Sequence, residues 1–449
     1  MRPLLIDERT SATLAASGEA MHALLCELFP LQRSITGAGV RETLRRLSAR
    51  IPLEVLEIPT GTKVFDWTVP DEWEIDEAYL EDEQGRRIVD LRDHTLHVVS
   101  YSTPVDATLT LAELEPHLHS LPEQPDLIPY RTSYYAPSWG FCLPHRLRQT
   151  LKDGRYRAVI RSRLAPGSLT VAEHVHRGTS GEEILVFAHD CHLSLANDNL
   201  SGIVVATWLA SFLRDRVTRY SYRFVFAPAT IGSISWLSRN RKRFAAIRHG
   251  LVLSLLGGGG AFHYKQTRAG THPIDRAAWH VLRHQSPDAK LLEFSPWGYD
   301  ERQFCSPGVD LPMGRLTRTP NGEFPEYHTS ADDTSFVTAA ELAEATMTCL
   351  RIFEVLEADG AYVNLAPDGE PQLGKRGLYR AMGGQQQIPE RQLALLWVLN
   401  QSDGKHTLLD IAERAKLPFR IIANAAADLE GVGLLRSAET EHSFQEPQT

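Results

Sequence analysis

The sequence predicts an α/β protein built on a mostly parallel sheet. Apolar runs of strand length, Ile184–Ala188, Tyr222–Ala227 and Leu251–Leu256, recur between stretches of helical spacing such as Pro273–His284 and Ala339–Glu357. The runs are apolar at nearly every position, as expected of strands covered on both faces. The first run then breaks into His189-Asp190-Cys191-His192 and passes through Ala196-Asn197-Asp198-Asn199. It resumes at Ser201-Gly202 with a helix-compatible stretch, Ile203–Leu213. Strand, ligand-type residues, then helix is where an open α/β sheet places its site.

Ahead of this body, MHALLCELF and VRETLRRLSARI place apolar residues at helical spacing, and Glu54–Ile58 reads as a short strand. From Val64 to Ser102 the chain turns rich in Trp, Tyr and Val. VFDWTVPDEW, AYLEDEQGRRIVDL and LHVVSYS read as short antiparallel strands with hairpin turns. LPEQPDLIPYRTSYYAPSWGFC is dense in proline and aromatics, which removes helix as an option and leaves either a pocket lining or a domain junction. Tyr156–Ile160 is assigned to the α/β body. The expected organisation is an α/β domain over 1–63 and 131–370, an inserted β-rich domain over 64–130, and a further domain over 385–449.

After Pro367 a loose, linker-like stretch leads to three helical segments, Pro389–Asn400, Thr407–Ala415 and Pro418–Glu430, and a short strand after Gly431. That is the layout of a winged helix. From Pro389 to Thr449 there are six Lys/Arg against nine Asp/Glu, so an interaction or structural role is favoured over DNA binding. Formal net charge is -9, which also argues against a nucleic-acid partner. No run is apolar enough to span a bilayer, and Asp7 and Glu8 interrupt the N-terminal stretch, so the expected location is cytoplasmic. Five irregularly spaced cysteines predict free thiols.

The chemistry concentrates in two places. His189, His192 and Asp198 lie within ten residues on the strand-to-helix crossover, and imidazole with carboxylate is the donor set of open zinc sites. Downstream, WGYDERQFCSPGVDLPMG offers Asp300 and Glu301, and FPEYHTSADD offers His328 flanked by Glu326 and Asp332.

Strand-His, Asp-Asn-x-Ser-Gly and Tyr-His-Thr-x-x-Asp together resemble the co-catalytic zinc aminopeptidases, whose fold is of phosphorylase/hydrolase-like α/β type. The chain more closely resembles an aminopeptidase-like branch with an inserted β module and a C-terminal winged helix. WTVPDEW, LHVVSYS, IPYRTSYY, WGFC, HDCHLSLANDNLSG, TIGSI, DERQFCSPG and EYHTSADD carry that likeness. The resemblance implies that His189 is a metal ligand, with His192 as an added candidate. It implies that Asp198 matches a metal-bridging carboxylate, that His328 is the last imidazole ligand and that Asp332 supports its loop. Two departures stand out. Ala229 occupies the position of a family Glu, and Ser254 with the glycine run replaces the Asp that completes a second metal site. One zinc is then the more economical expectation, against two in the family pattern.

The expected function is a zinc-dependent amide or peptide hydrolase of aminopeptidase type acting on a small peptide or aminoacyl amide. Glu301 is the expected proton acceptor with Glu326 as alternative, and Asp300 the anchor for a substrate amine. Arg302, Arg131, Tyr135, Trp139 and Tyr327 are expected to contact substrate, and Cys191 and Cys305 to lie near the metal. Two readings stand beside it: a specialised biosynthetic amide cleavage, and a binding protein without turnover. No nucleic-acid or membrane partner is expected, and homo-oligomerisation is left open.

Overall fold

In the computed structural model, residues 6–378 and 389–438 are described. They form two compact units, one from 7–272 and 290–347, the other from Ile6, 273–289 and the chain from 348 onward.

The larger unit carries an eight-stranded sheet. Its order is Glu54–Pro59, Ser168–His176, Ser221–Ala227, Glu183–His189, Ile247–Leu253, Met313–Thr317, His263–Lys265 and Lys290–Leu292. The four strands from Ser221–Ala227 to Met313–Thr317 are mutually parallel; antiparallel pairing enters on both sides. Every residue of Glu183–His189 and of Ser221–Ala227 is buried, which explains why their sequences run apolar without alternation. The one strongly polar intruder, Arg223, is neutralised by Glu183 at 2.8 Å and by Glu173. The Gly202–Leu213 helix packs nine of its twelve residues into the core, so the strand and the helix that follow the site are both rigid.

A second, four-stranded antiparallel sheet runs Arg87–Asp90, Glu72–Glu81, Arg155–Ala165 and Val105–Thr110. Here the structure departs from the expected layout. The Tyr156–Ile160 segment is the middle of this sheet and not a strand of the α/β body, so the β module takes a central strand from beyond residue 130. Apolar Ala158, Ile160, Ala78, Leu80 and Val89 close its own core. LHVVSYS is a second departure. It forms a short 3-10 turn at Thr95–His97 and then an extended segment, because Val99 N–H and Ser100 N–H donate to Gly140 and Arg131 carbonyls instead of to a hairpin partner.

In the smaller unit, helices Glu390–Gln401, Leu408–Ala415 and Phe419–Gly431 match the three expected segments. They are completed by a three-stranded sheet of Asp403–Thr407, Ala361–Asn364 and Leu435–Ser437. Ala361–Asn364 lies ahead of the 385 boundary expected for this domain; four half-buried residues give no alternation to read. Thr407 starts the second helix with a reciprocal capping box to Asp410. Helix Phe419–Gly431 is tied at its first turn to helix Pro273–Gln285, where Phe419 N–H donates to His280 Nε2 at 2.9 Å. No helix among the described residues is long and apolar enough to cross a membrane. All five cysteines are free, and only Cys26 is exposed.

Candidate metal centre

His189 ends the fully buried central strand, so its imidazole emerges at the carboxyl edge of the sheet. Asp198 sits in the irregular turn over 196–201 that feeds helix Gly202–Leu213. That turn is held from two sides. Asp332 accepts the backbone N–H groups of Asn197 (2.6 Å) and Asp198 (3.0 Å), and its carbonyl accepts from Ala196. Asn197 Oδ1 accepts from Gly257 and Gly258 N–H at 2.9 and 3.0 Å. The glycine run has its reason here. A Cβ on Gly257 would lie 2.4 Å from Val337, and one on Gly258 2.6 Å from Phe336, so only glycine lets the loop come this close.

Three imidazoles converge on the Asp198 carboxylate. His189 Nε2 lies 2.9 Å from Oδ1; His328 Nε2 and His192 Nε2 lie 3.0 and 3.8 Å from Oδ2. One ligand atom from each of His189, His192 and Asp198 falls within 4.8 Å of the other two. His328 is placed by its backbone. It takes a left-handed φ of 55°, and its carbonyl accepts Tyr130 N–H at 2.8 Å. His192 is fixed the same way, its carbonyl accepting from the buried Arg33 Nε at 2.9 Å. Tyr299 and Tyr327, the first not anticipated from sequence, complete the wall. Tyr299 stacks on His189, donates to Asp198 Oδ2 at 3.2 Å and meets the Tyr327 hydroxyl at 3.3 Å; Tyr327 stacks on His328.

Burial works against charge on Asp198, yet the His192, His189 and His328 imidazoles outweigh it and hold the carboxyl well below its ordinary range. Burial pushes His192 down to about 3, so that ring is neutral and free to donate a lone pair. Ligands bound at 2.0–2.1 Å to a tetrahedral zinc stand roughly 3.3 Å from one another. The separations of 2.9, 3.0 and 3.8 Å about Asp198 bracket that spacing. By donor type and mutual spacing, His189, His192 and Asp198 could hold such an ion; His328 reaches Asp198 Oδ2 but lies outside that group.

The structure disperses the other expected site residues. Glu301 is fully buried but committed. Lys265 Nζ donates to its Oε1 at 2.9 Å, and Arg315 pairs with it at 3.4 Å. Both cations hold Oε1, which makes Glu301 a poorer proton acceptor than expected, although its buried Oε2 has no hydrogen-bond partner. Beside it, Asp300 accepts from Ser233 Oγ through Oδ1 at 2.6 Å, and its equally buried Oδ2 has no hydrogen-bond partner. Burial raises Asp300 to about 6, opposed by His189 and Ser233. Tyr135, 55% exposed, and Arg302, with an unpartnered buried Nε, both act electrostatically with Asp300. Trp139 does not line the centre; it stacks on His117 at 3.7 Å and packs into the β module, where its ring closes that core. Arg131 is exposed, and its charge is felt at His119 and Cys142 of that module. Glu326 supports its own loop, its carbonyl accepting from Thr329. Cys191 lies 3.7 Å from His192, but burial raises its thiol well above the ordinary value, so it is no thiolate; Cys305 bonds the carbonyls of Leu311 and Met313 in the core. Ala229 and Ser254 occupy the two positions where the resemblance led us to expect acids, and the buried Ser254 hydroxyl has no partner.

This sheet, with an imidazole–carboxylate cluster at its carboxyl edge and a separate winged helix, defines an aminopeptidase-like α/β protein. The chain belongs to the family described as "Domain of unknown function (DUF4910)", whose model matches residues 22–359, and a winged helix-turn-helix model matches 360–437. A relative from Clostridium acetobutylicum is 48% identical over 420 residues, 94% of this chain and 96% of its own. It bears the name of a candidate polysaccharide biosynthesis protein with aminopeptidase-like domain. A crystal structure of a candidate peptidase from the same organism matches with TM-score 0.91 and 45% identity, covering 96% of this chain and 98% of that one. A zinc aminopeptidase from Bacillus subtilis shares the fold at TM-score 0.57 and 12% identity, over 75% of this chain and 93% of its own.

Proposed function

We propose that the protein is a zinc-dependent hydrolase of small amides or peptides, of aminopeptidase type. The observation that carries this is the buried convergence of His189, His192 and His328 on Asp198. His189, His192 and Asp198 would hold the metal, with His328 beside them. When bound, zinc supplies Lewis acidity toward a carbonyl and acidifies a coordinated water. The chain's own residues supply the remainder. Asp300 takes up the proton through its unpartnered Oδ2, while Ser233 fixes the other oxygen and sets its orientation. The Tyr299 and Tyr327 phenols, linked to each other and to Asp198, hold the carboxylate in place and present hydroxyls toward the reacting group. Arg302 and Tyr135, beside Asp300, are the residues in reach of substrate, and Arg302 with its free Nε–H suits an anionic or carbonyl oxygen.

The Clostridium relative's name points to polysaccharide biosynthesis, which favours a specialised amide cleavage in a biosynthetic route over general peptide turnover. A second reading, ligand binding without turnover, is favoured by Ala229 and Ser254, which remove two of the acids an aminopeptidase of this fold uses. Metal analysis and a substrate panel test both. One zinc per chain with hydrolysis of aminoacyl or acyl amides supports the proposal. Zinc without hydrolysis of any amide supports the binding reading, and absence of zinc after reconstitution refutes both enzymatic forms.

A further inference from the structure

The smaller unit contains a cavity of about 350 Å³ that the metal centre does not use. Its walls come from three helices of that unit: Pro273–Gln285, the later turns of Ala339–Ala358, and the start of Phe419–Gly431. What marks it is charge. Arg351 and Arg420 both line it, and neither makes an ion pair or hydrogen bond among the described residues. His284 lines it as well. The single carboxylate in the wall, Glu354, already accepts the Ile6 N–H at 3.0 Å. The two guanidinium groups share the charge of this one carboxylate without hydrogen-bonding to it, which leaves one positive charge uncompensated in the wall.

The surroundings raise the positive potential further. His280 Nε2 accepts the Phe419 N–H at 2.9 Å, which leaves the ring proton of the neutral imidazole on Nδ1, beside the Arg283 guanidinium, and holds the helix in place. Burial, with Arg283, His284 and Arg276 nearby, pushes His280 down to about 3 and keeps the ring uncharged. Helix Phe419–Gly431 has thirteen residues and begins at Pro418, in the cavity wall, without a side-chain cap. Its amino end adds partial positive charge to what the arginines supply. Phe419, Val281 and Val355 give the same space an apolar side.

We propose that this cavity is a binding site for a small phosphate-bearing molecule, of the size of a sugar phosphate or mononucleotide. Arg351 and Arg420 grip the phosphate through planar, multiply donating guanidinium groups, which match phosphate geometry better than lysine does. The apolar side accepts the organic portion. The volume lies near the lower end of the 300–1,000 Å³ range of small-molecule sites, which sets the size limit. Duplex DNA is the poorer occupant. The first turn of the second winged-helix-motif helix is docked onto His280 and is not free to enter a groove, and the module carries more acids than bases.

The test uses the full-length protein at fixed ionic strength. Inorganic phosphate and adenosine monophosphate are titrated by calorimetry against a chloride control, and a 20-base-pair duplex is run in parallel. The expected result is one phosphate-dependent site per chain, with tighter binding of the monophosphate than of phosphate alone. Affinity should fall at least tenfold in Arg351→Gln and in Arg420→Gln, with Arg420→Lys intermediate. Circular dichroism and zinc content unchanged in the variants separate loss of the site from loss of the fold. Heat no greater than in chloride, or affinity unchanged in the double Gln variant, overturns the proposal. Duplex binding that the same substitutions abolish, without monophosphate binding, overturns it in favour of a nucleic-acid contact.

Discussion

His192, Asp300 and Glu301 mark what single residues decide. Two neighbouring acids, Asp300 and Glu301, are equally buried yet have opposite surroundings. Glu301 faces two cations; Asp300 faces a serine hydroxyl and an imidazole. Their substitutions should therefore separate. Asp300→Asn should lower kcat by about 100-fold or more while zinc stays bound; turnover near wild type with full zinc would remove Asp300 as the proton acceptor. Glu301→Gln strips the counter-charge from Lys265 and Arg315, a loss of about 3–5 kcal/mol for a broken buried pair, read as a lower urea midpoint. The pH profile follows from the raised carboxyl. Asp300 accepts a proton only when ionised, and burial places its ionisation at about 6. Activity should thus fall as pH drops through about 6 and recover above it, and Asp300→Asn should leave only a flat residual rate. None of this was readable from DERQ alone. The sequence offers two adjacent acids, and only the fold says which one meets Lys265 from a distant strand.

At the scale of elements, the strand–turn–helix unit from Glu183 to Leu213 was the most legible part of the chain. Its apolar run, its ligand residues and its Ser-Gly junction each leave a local trace in the sequence. Gly202 is the joint: a Cβ there would lie 2.5 Å from both Asn199 Oδ1 and the Leu253 carbonyl oxygen. Since a backbone carbonyl yields little, Gly202→Ala should cost about 1–3 kcal/mol by overpacking and weaken zinc retention on dialysis, because Asp198 rides on the same turn. Retention equal to wild type would separate the joint from the metal centre. The winged helix was legible for the same local reasons. Thr407 and Asp410 form a capping box, and Thr407→Ala should cost about 1 kcal/mol, visible as an earlier unfolding of the smaller unit. Less legible were elements whose partners are remote. Arg155–Ala165 joins the β module, although its sequence adjoins the α/β body, because strand pairing depends on what lies across the sheet. LHVVSYS has strand composition, but its hydrogen bonds go to the 131–140 segment.

Across the whole molecule, class and family were accessible from phrases spread along the chain, and the family match over 22–359 agrees with them. The clustered histidines and aspartate were conspicuous at a strand end, and the fold brings them together around Asp198. Tyr299, Tyr130, Arg33 and Ser233 were not, because tyrosine, arginine and serine have many ordinary uses and only proximity gives them a role. Trp139 shows the converse: an aromatic in a promising phrase that serves the packing of another sheet. The central claim is that this centre, without the Glu and Asp lost to Ala229 and Ser254, still holds one metal. Diffraction data collected on crystals of zinc-reconstituted protein at the zinc absorption edge test it directly. The account predicts one anomalous peak per chain, bonded to His189, His192 and Asp198 with His328 adjoining. No peak between those residues, or a pair of peaks bridged by Asp198, would contradict it.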